Sequence, residues 1–167
     1  MKYVVFVDFD GVLTSTRVHL SYEATKTYPV WCVFDPVAIE FFNRLHYKYE
    51  DVSFVWTTTW RNGMTDKQYH TEHWAYAMWY NAGFRGKFGT PWRVNPDETI
   101  PLHKRAEEVK HYLETYAPTA RDYLVFDDND YGFNDVLGKR RFIKTDSDNG
   151  LMYKHMKNVL SIVGTWD

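Results

Sequence analysis

The arrangement of apolar and polar positions along the chain predicts strands that alternate with helices. Tyr3 to Val7 is a short apolar run rich in valine, which is typical of a buried parallel strand. At Asp35-Pro36 a helix is expected to begin, with Asp35 as its N-cap and Pro36 in its first turn. The other predicted elements are strands at Val52 to Trp56, Tyr123 to Phe126 and Arg141 to Ile143, and helices from Thr65 or Asp66 to Asn81, Pro101 to Tyr116 and Met152 to Val163. Glycines and prolines from Phe84 to Thr99 predict a loop.

This order of elements predicts an α/β fold, a Rossmann-like parallel sheet with helices on both faces. Residues 1–167 are expected to form one domain, because a chain of this length can bury a single sizeable core. Ligands of such sheets bind at the carboxyl ends of the strands. The functional residues are therefore expected along that edge.

Charge and cysteine content narrow the classes of function. A net charge of −2 argues against a general nucleic-acid binder, which needs excess Lys and Arg to displace counterions. Cys32 is the only cysteine, so we expect a reducing compartment. No signal peptide or membrane-length apolar run is recognised. These observations predict a cytoplasmic protein with no membrane association and no obligate protein partner.

Three predicted strands end in polar residues. Asp8 and Asp10 follow the first strand, Thr57-Thr58-Thr59 follow the second and Asp127-Asp128 follow the third. In a parallel sheet these residues crowd one edge, where four carboxylates would repel one another strongly. A divalent cation relieves that repulsion, and hard oxygen ligands of this kind suit Mg²⁺. Magnesium is therefore the expected cofactor.

The segment Asp8-Phe9-Asp10-Gly11-Val12-Leu13-Thr14 resembles the first motif of the haloacid dehalogenase (HAD) superfamily of phosphohydrolases. The threonines after the second strand, a lysine near a helix start and the pair Asp127-Asp128 match the other three motifs in order. Two further stretches, VWTTTWR and TDSDNGLMYKHMKNVL, are similar to the compact HAD domain of Swiss Army Knife RNA-repair proteins. The resemblance implies a HAD-like phosphatase domain.

The resemblance also implies a mechanism. Asp8 would attack phosphorus to give an aspartyl-phosphate, and Asp10 would protonate the leaving oxygen and then activate water. Mg²⁺ would lie between Asp8, the Asp10 carbonyl and Asp127, with Asp128 as a further ligand. Gly11 would let the main chain bend and approach the phosphate closely.

The sequence offers two candidates each for the hydroxyl donor and for the cation of the site. Thr58 is favoured over Thr57 as the hydrogen-bond donor to a phosphoryl oxygen. Lys104 is favoured over Lys110 as the cation that neutralises the phosphate.

Substrate recognition is assigned to residues that follow the second strand. Thr59, Trp60 and Arg61 are expected near the phosphate, since Arg recognises phosphate through its planar fork and Trp can stack on a base.

The short connections predict a site without a large cap domain. Residues 15–34 would form at most a small hairpin flap, which leaves the site open to bulky substrates. The expected function is a Mg²⁺-dependent phosphomonoesterase acting on a nucleotide or nucleic-acid terminus, with 3′ phosphates as the specific hypothesis. A phosphatase of small metabolites or free nucleotides is the alternative. A non-catalytic HAD-like binding module is the hypothesis from a different functional class.

Overall fold

A computed structural model describes residues 2–25, 34–62, 74–138 and 141–165. Five strands form one parallel sheet in the order β3-β2-β1-β4-β5. The strands are β1 (Tyr3–Val7), β2 (Val52–Trp56), β3 (Lys87–Arg93), β4 (Asp122–Asp127) and β5 (Phe142–Lys144). The helices are α1 (Thr16–Thr25), α2 (Pro36–Lys48), α3 (Trp74–Asn81), α4 (Arg105–Thr115), α5 (Phe133–Val136) and α6 (Tyr153–Val163), and a 3₁₀ turn spans Thr59–Arg61. The predicted α/β class is confirmed.

Strand β1 occupies the centre of the sheet. All five of its residues are buried, because β2 and β4 cover its edges and helices cover both faces. Val7, its last residue, lies level with Trp56 of β2 and Phe126 of β4. The residues that follow these three therefore emerge side by side at the carboxyl edge.

The helices divide between the two faces of the sheet. Val5 and Val7 of β1 belong to the apolar cluster that includes α2, α3 and α6, whereas Val4 and Phe6 belong to the cluster that includes α4 and α5. This alternation follows from the two-residue period of a strand. Helix α2 begins as predicted, with Asp35 accepting a hydrogen bond from the Val37 amide at 2.8 Å.

The prediction of a loop from Phe84 to Thr99 was wrong, because β3 lies within it. The strand contains Gly89 and Pro91, which are depleted in strands and masked the apolar alternation. An edge strand tolerates proline because one side of it has no partner strand. Pairing with β2 is correspondingly irregular between Phe54 and Trp56.

Helix α1 occupies the first part of residues 15–34, where a hairpin flap was expected. The predicted start of α3 at Thr65 or Asp66 lies outside the described residues, whereas its end at Asn81 is as predicted. No helix in the four described ranges combines the length and the apolar character needed to cross a membrane.

Candidate active site

Three strand ends bring their polar residues together at the centre of the sheet edge. The Asp8 amide donates to the Phe126 carbonyl, and the Thr57 amide donates to the Val7 carbonyl, both at 3.0 Å. These bonds place Asp8 between Thr57 on one side and Asp127 on the other. Asp8 and Asp127 are buried, and both side chains project toward the N-terminus of α4.

A tight turn after Asp8 brings a second carboxylate to the same edge. The Phe9 carbonyl accepts hydrogen bonds from the amides of Leu13 at 2.8 Å and Thr14 at 2.9 Å. Gly11 has a φ of 69° in this turn, a backbone conformation that glycine adopts without a steric penalty. Asp10 lies exposed beside this turn.

Three carboxylates at this edge could hold a divalent cation. Asp8, Asp127 and Asp128 each offer an oxygen atom, and these atoms lie within 4.8 Å of one another. Burial, followed by repulsion from Asp8, raises the pKa of Asp127 to about 7. Burial also raises the pKa of Asp8, and Arg105 opposes that rise. The raised pKa values show that negative charge is unfavourable at these buried carboxylates, and a divalent cation would stabilise it. Because the donors are hard oxygen atoms, they fit Mg²⁺.

Arg105, rather than Lys104, supplies the cation in contact with these acids. Nη1 of Arg105 donates to Oδ2 of Asp8 at 2.9 Å and to Oδ2 of Asp127 at 2.6 Å. Lys104 is exposed, and its Nζ donates to Glu107 at 3.0 Å. Lys110, the alternative lysine, is also exposed and lies 3.9 Å from Glu114. The structure thus gives neither lysine a contact with the acidic group.

The two candidate threonines have different surroundings. Oγ1 of Thr58 accepts a hydrogen bond from the Trp60 amide at 3.3 Å and caps the 3₁₀ turn. Oγ1 of Thr57 is buried and has no hydrogen-bond partner among the described residues. Trp56 packs in the α2 cluster, so by strand alternation Thr57 projects to the opposite face, as Asp8 does. This placement favours Thr57 over the predicted Thr58 as the donor to a phosphoryl oxygen.

Arg61 does not lie where a substrate phosphate could meet it. The side chain is 2% exposed, and Nη2 donates to both carboxylate oxygens of Glu108, at 2.7 and 2.6 Å. Nη1 donates to the carbonyl oxygens of Thr57 and Thr58, the latter at 2.6 Å. Arg61 therefore holds the threonine segment in place, and the prediction that it binds substrate does not fit this arrangement.

The two neighbours of Arg61 lie closer to the open edge. Thr59 is exposed, and Trp60 is half-buried with its indole Nε1 donating to Oδ2 of Asp10 at 3.0 Å. The structure thus brings Trp60 to the site, but as a partner of a carboxylate.

Sequence reasoning missed two side chains at this site. Arg105 lies one residue beyond the lysine that the motif suggested, and only the register of α4 distinguishes the two. Tyr131 packs against the Arg105 guanidinium, whose central carbon lies 4.3 Å from the ring centroid. Tyr131 lies three residues after Asp128, and this closeness to the acidic pair was the one feature of the sequence that could have suggested a place near the site.

One comparison with known proteins identifies a relationship. A family model described as the HAD domain in Swiss Army Knife RNA repair proteins matches residues 4–156. No curated protein and no solved structure matches the chain. The matched range contains every site residue described above and all of the described strand residues except Tyr3, the first residue of β1.

Proposed function

Because the chain belongs to the family of HAD domains found in Swiss Army Knife RNA repair proteins, we propose that it is a Mg²⁺-dependent phosphomonoesterase. One observation carries the proposal. One carboxylate oxygen from each of Asp8, Asp127 and Asp128 lies within 4.8 Å of the other two at the carboxyl edge of the sheet, and Arg105 contacts two of these three residues. Such a group can hold a cation and an anionic phosphate together.

The reaction proceeds in two displacements. A carboxylate oxygen of Asp8 attacks phosphorus and forms an acyl phosphate, while the bond from phosphorus to the leaving oxygen breaks and Asp10 donates a proton to that oxygen. Asp10 then takes a proton from a water molecule, whose oxygen attacks phosphorus and releases inorganic phosphate from Asp8.

Other residues stabilise the charge on the phosphoryl group. Arg105 neutralises phosphoryl oxygens, and the Thr57 hydroxyl donates a hydrogen bond to one of them. Mg²⁺ held by Asp8, Asp127 and Asp128 would reduce the repulsion between the nucleophile and the phosphate.

We further propose that the substrate is a nucleotide or nucleic-acid terminus, with a 3′ phosphate as the preferred group. The family description, which names RNA repair, supports this substrate class. The exposure of Asp10 and Thr59 supports access by a bulky leaving group.

A phosphate-release assay with Mg²⁺ tests the proposal. Its substrates are 3′-phosphorylated oligonucleotides, nucleoside 3′- and 5′-monophosphates and sugar phosphates, and its control is Asp8→Asn. We expect the wild type to release phosphate fastest from 3′-phosphorylated ends and Asp8→Asn to release none. Rapid quenching of the wild-type reaction should yield a phosphorylated peptide that contains Asp8. Release from sugar phosphates alone would favour a metabolite phosphatase. No release from any substrate would favour a binding module.

A further inference from the structure

We propose that Trp60 is a positioning residue for Asp10, a role that rests on the proposed phosphatase function. The two residues lie fifty positions apart in sequence and follow different strands. Trp60 was expected to stack on a substrate base. Its indole N–H is instead directed at the carboxylate that would protonate the leaving oxygen.

Both oxygens of the Asp10 carboxylate are held. Nε1 of Trp60 donates to Oδ2 at 3.0 Å, and Oγ1 of Thr14 donates to Oδ1 at 3.2 Å. Asp10 is exposed, so without these bonds its side chain would sample several rotamers. Two donors on opposite oxygens fix the plane of the carboxylate as well as its direction.

The indole is itself held in place by packing. Its ring lies edge-to-face against Phe9, with centroids 5.1 Å apart, and is stacked with Phe34 at 6.2 Å. The Trp60 amide donates to Oγ1 of Thr58. Because Phe9 lies between Asp8 and Asp10 in sequence, Trp60 links the segment after β2 to the turn that carries both acids. A ring anchored on this side is poorly placed to swing onto a substrate base.

This geometry predicts a dependence on the leaving group. Ester oxygens that leave poorly, such as the alkoxide of a nucleoside, need a proton from a correctly placed acid. A nitrophenolate ion leaves readily without one. A variant that loses the orientation of Asp10 should therefore lose acyl-phosphate formation mainly on alkyl phosphates, whereas the later activation of water by Asp10 is common to all substrates.

Trp60→Phe provides the test, because it keeps the ring against Phe9 and Phe34 and removes the N–H donor. We expect kcat/KM, which reports formation of the acyl phosphate, to fall about 10-fold or more on a nucleoside 3′-monophosphate, a part of what general acid catalysis contributes. On 4-nitrophenyl phosphate kcat/KM should fall much less. Trp92→Phe is the matched control, because Trp92 is buried and packs against Trp56 at 5.0 Å. Trp92→Phe should change kcat/KM to the same extent on both substrates.

Thr14→Val removes the donor to the other oxygen and should show the same dependence on leaving group as Trp60→Phe. It provides a second reading if Trp60→Phe folds poorly. Equal losses of kcat/KM on both esters, or no loss in either variant, would overturn the positioning role, with an inactive Asp8→Asn showing that the proposed phosphatase function still stands. An inactive wild type would overturn both this role and the proposed function.

Discussion

Arg105 and Asp8 are joined by a buried ion pair, with Nη1 of Arg105 2.9 Å from Oδ2 of Asp8. The same nitrogen lies 2.6 Å from Oδ2 of Asp127, so one guanidinium bridges two acids that would otherwise repel each other. The lysine one residue earlier turns outward to Glu107. At the start of α4, therefore, Arg105 points into the site and the adjacent Lys104 points toward solvent.

Substitution of these two cations should have very different effects on activity. In the proposed mechanism Arg105→Gln removes a charged donor to the transferred phosphoryl group, so we expect kcat/KM to fall about 100-fold or more. Arg105→Lys keeps the charge but not the fork and should lose less. Lys104→Gln should stay close to the wild type. Phosphate release under identical conditions measures all three, and a larger loss in Lys104→Gln would contradict the assignment.

Substitution of Gly11 should weaken metal binding. A Cβ atom added there would lie 2.5 Å from Cβ of Asp128, so Gly11→Ala displaces that carboxylate. We expect the Mg²⁺ concentration for half-maximal activity to rise about 10-fold. Gly138→Ala is the control, because Gly138 has a φ of 86° but, among the described residues other than its chain neighbours, no atom lies within 4 Å of the added Cβ. Both variants bear a backbone penalty of about 1–2 kcal/mol, so only a selective change in the Mg²⁺ requirement supports the displacement.

Arg61 and Glu108 should stabilise the fold as a coupled pair. Arg61→Met or Glu108→Leu leaves one buried charge without its partner, and each should lower the free energy of unfolding by about 3–5 kcal/mol. The double variant should lose less than the sum of the single losses, because neither charge remains. Urea denaturation of the four proteins measures the coupling. Additive losses would show that the two side chains act independently.

His155 should make the stability of the fold depend on pH. Burial, followed by Lys154, lowers the pKa of His155 in the folded state, and Asp146 opposes the change. Its Nδ1 accepts a hydrogen bond from the Met152 amide at 3.0 Å, which requires that nitrogen to be unprotonated. As the pH falls below about 6.5, the unfolded chain takes up a proton before the folded one, so stability decreases.

His155→Gln keeps an acceptor at this position but does not titrate. Free energies of unfolding from urea titrations at about pH 7.5 and about pH 5.5 should therefore differ less in this variant than in the wild type. Any other titrating groups, including His46, remain in both proteins. An unchanged difference would remove His155 as a source of the pH dependence.

Strong local patterns in the sequence predicted most of the fold. The apolar run of β1 and the Asp35-Pro36 start of α2 lie where the pattern placed them, because such signals depend on neighbouring residues only. Helix α4 was expected from Pro101 and begins at Arg105. That shift matters because adjacent residues at a helix start point in different directions. The choice between Lys104 and Arg105 therefore depended on a boundary that sequence patterns locate poorly.

The remaining features of the site depend on contacts between residues that are distant in the sequence. Thr57 and Thr58 are indistinguishable by composition, and the register of β2 against β1 is what places Thr57 level with Asp8. Arg61 looked like a phosphate ligand because its partner Glu108 lies 47 residues away on another element. A buried ion pair of such long sequence separation leaves no local signal.

The placement of β1 in the middle of the sheet has a consequence for how such a protein can diversify. The strands that bear the proposed reacting groups are the inner three, whereas β3 and β5 form the two borders. The segments leaving those borders touch the inner strands through a few bonds, such as that from the Thr145 amide to the Asp127 carbonyl at 3.0 Å, and their other residues can change without altering the backbone that carries Asp8. Under the proposed function, substrate preference can therefore change, naturally or by design, at the margins of the sheet while the acidic residues at its centre stay in place.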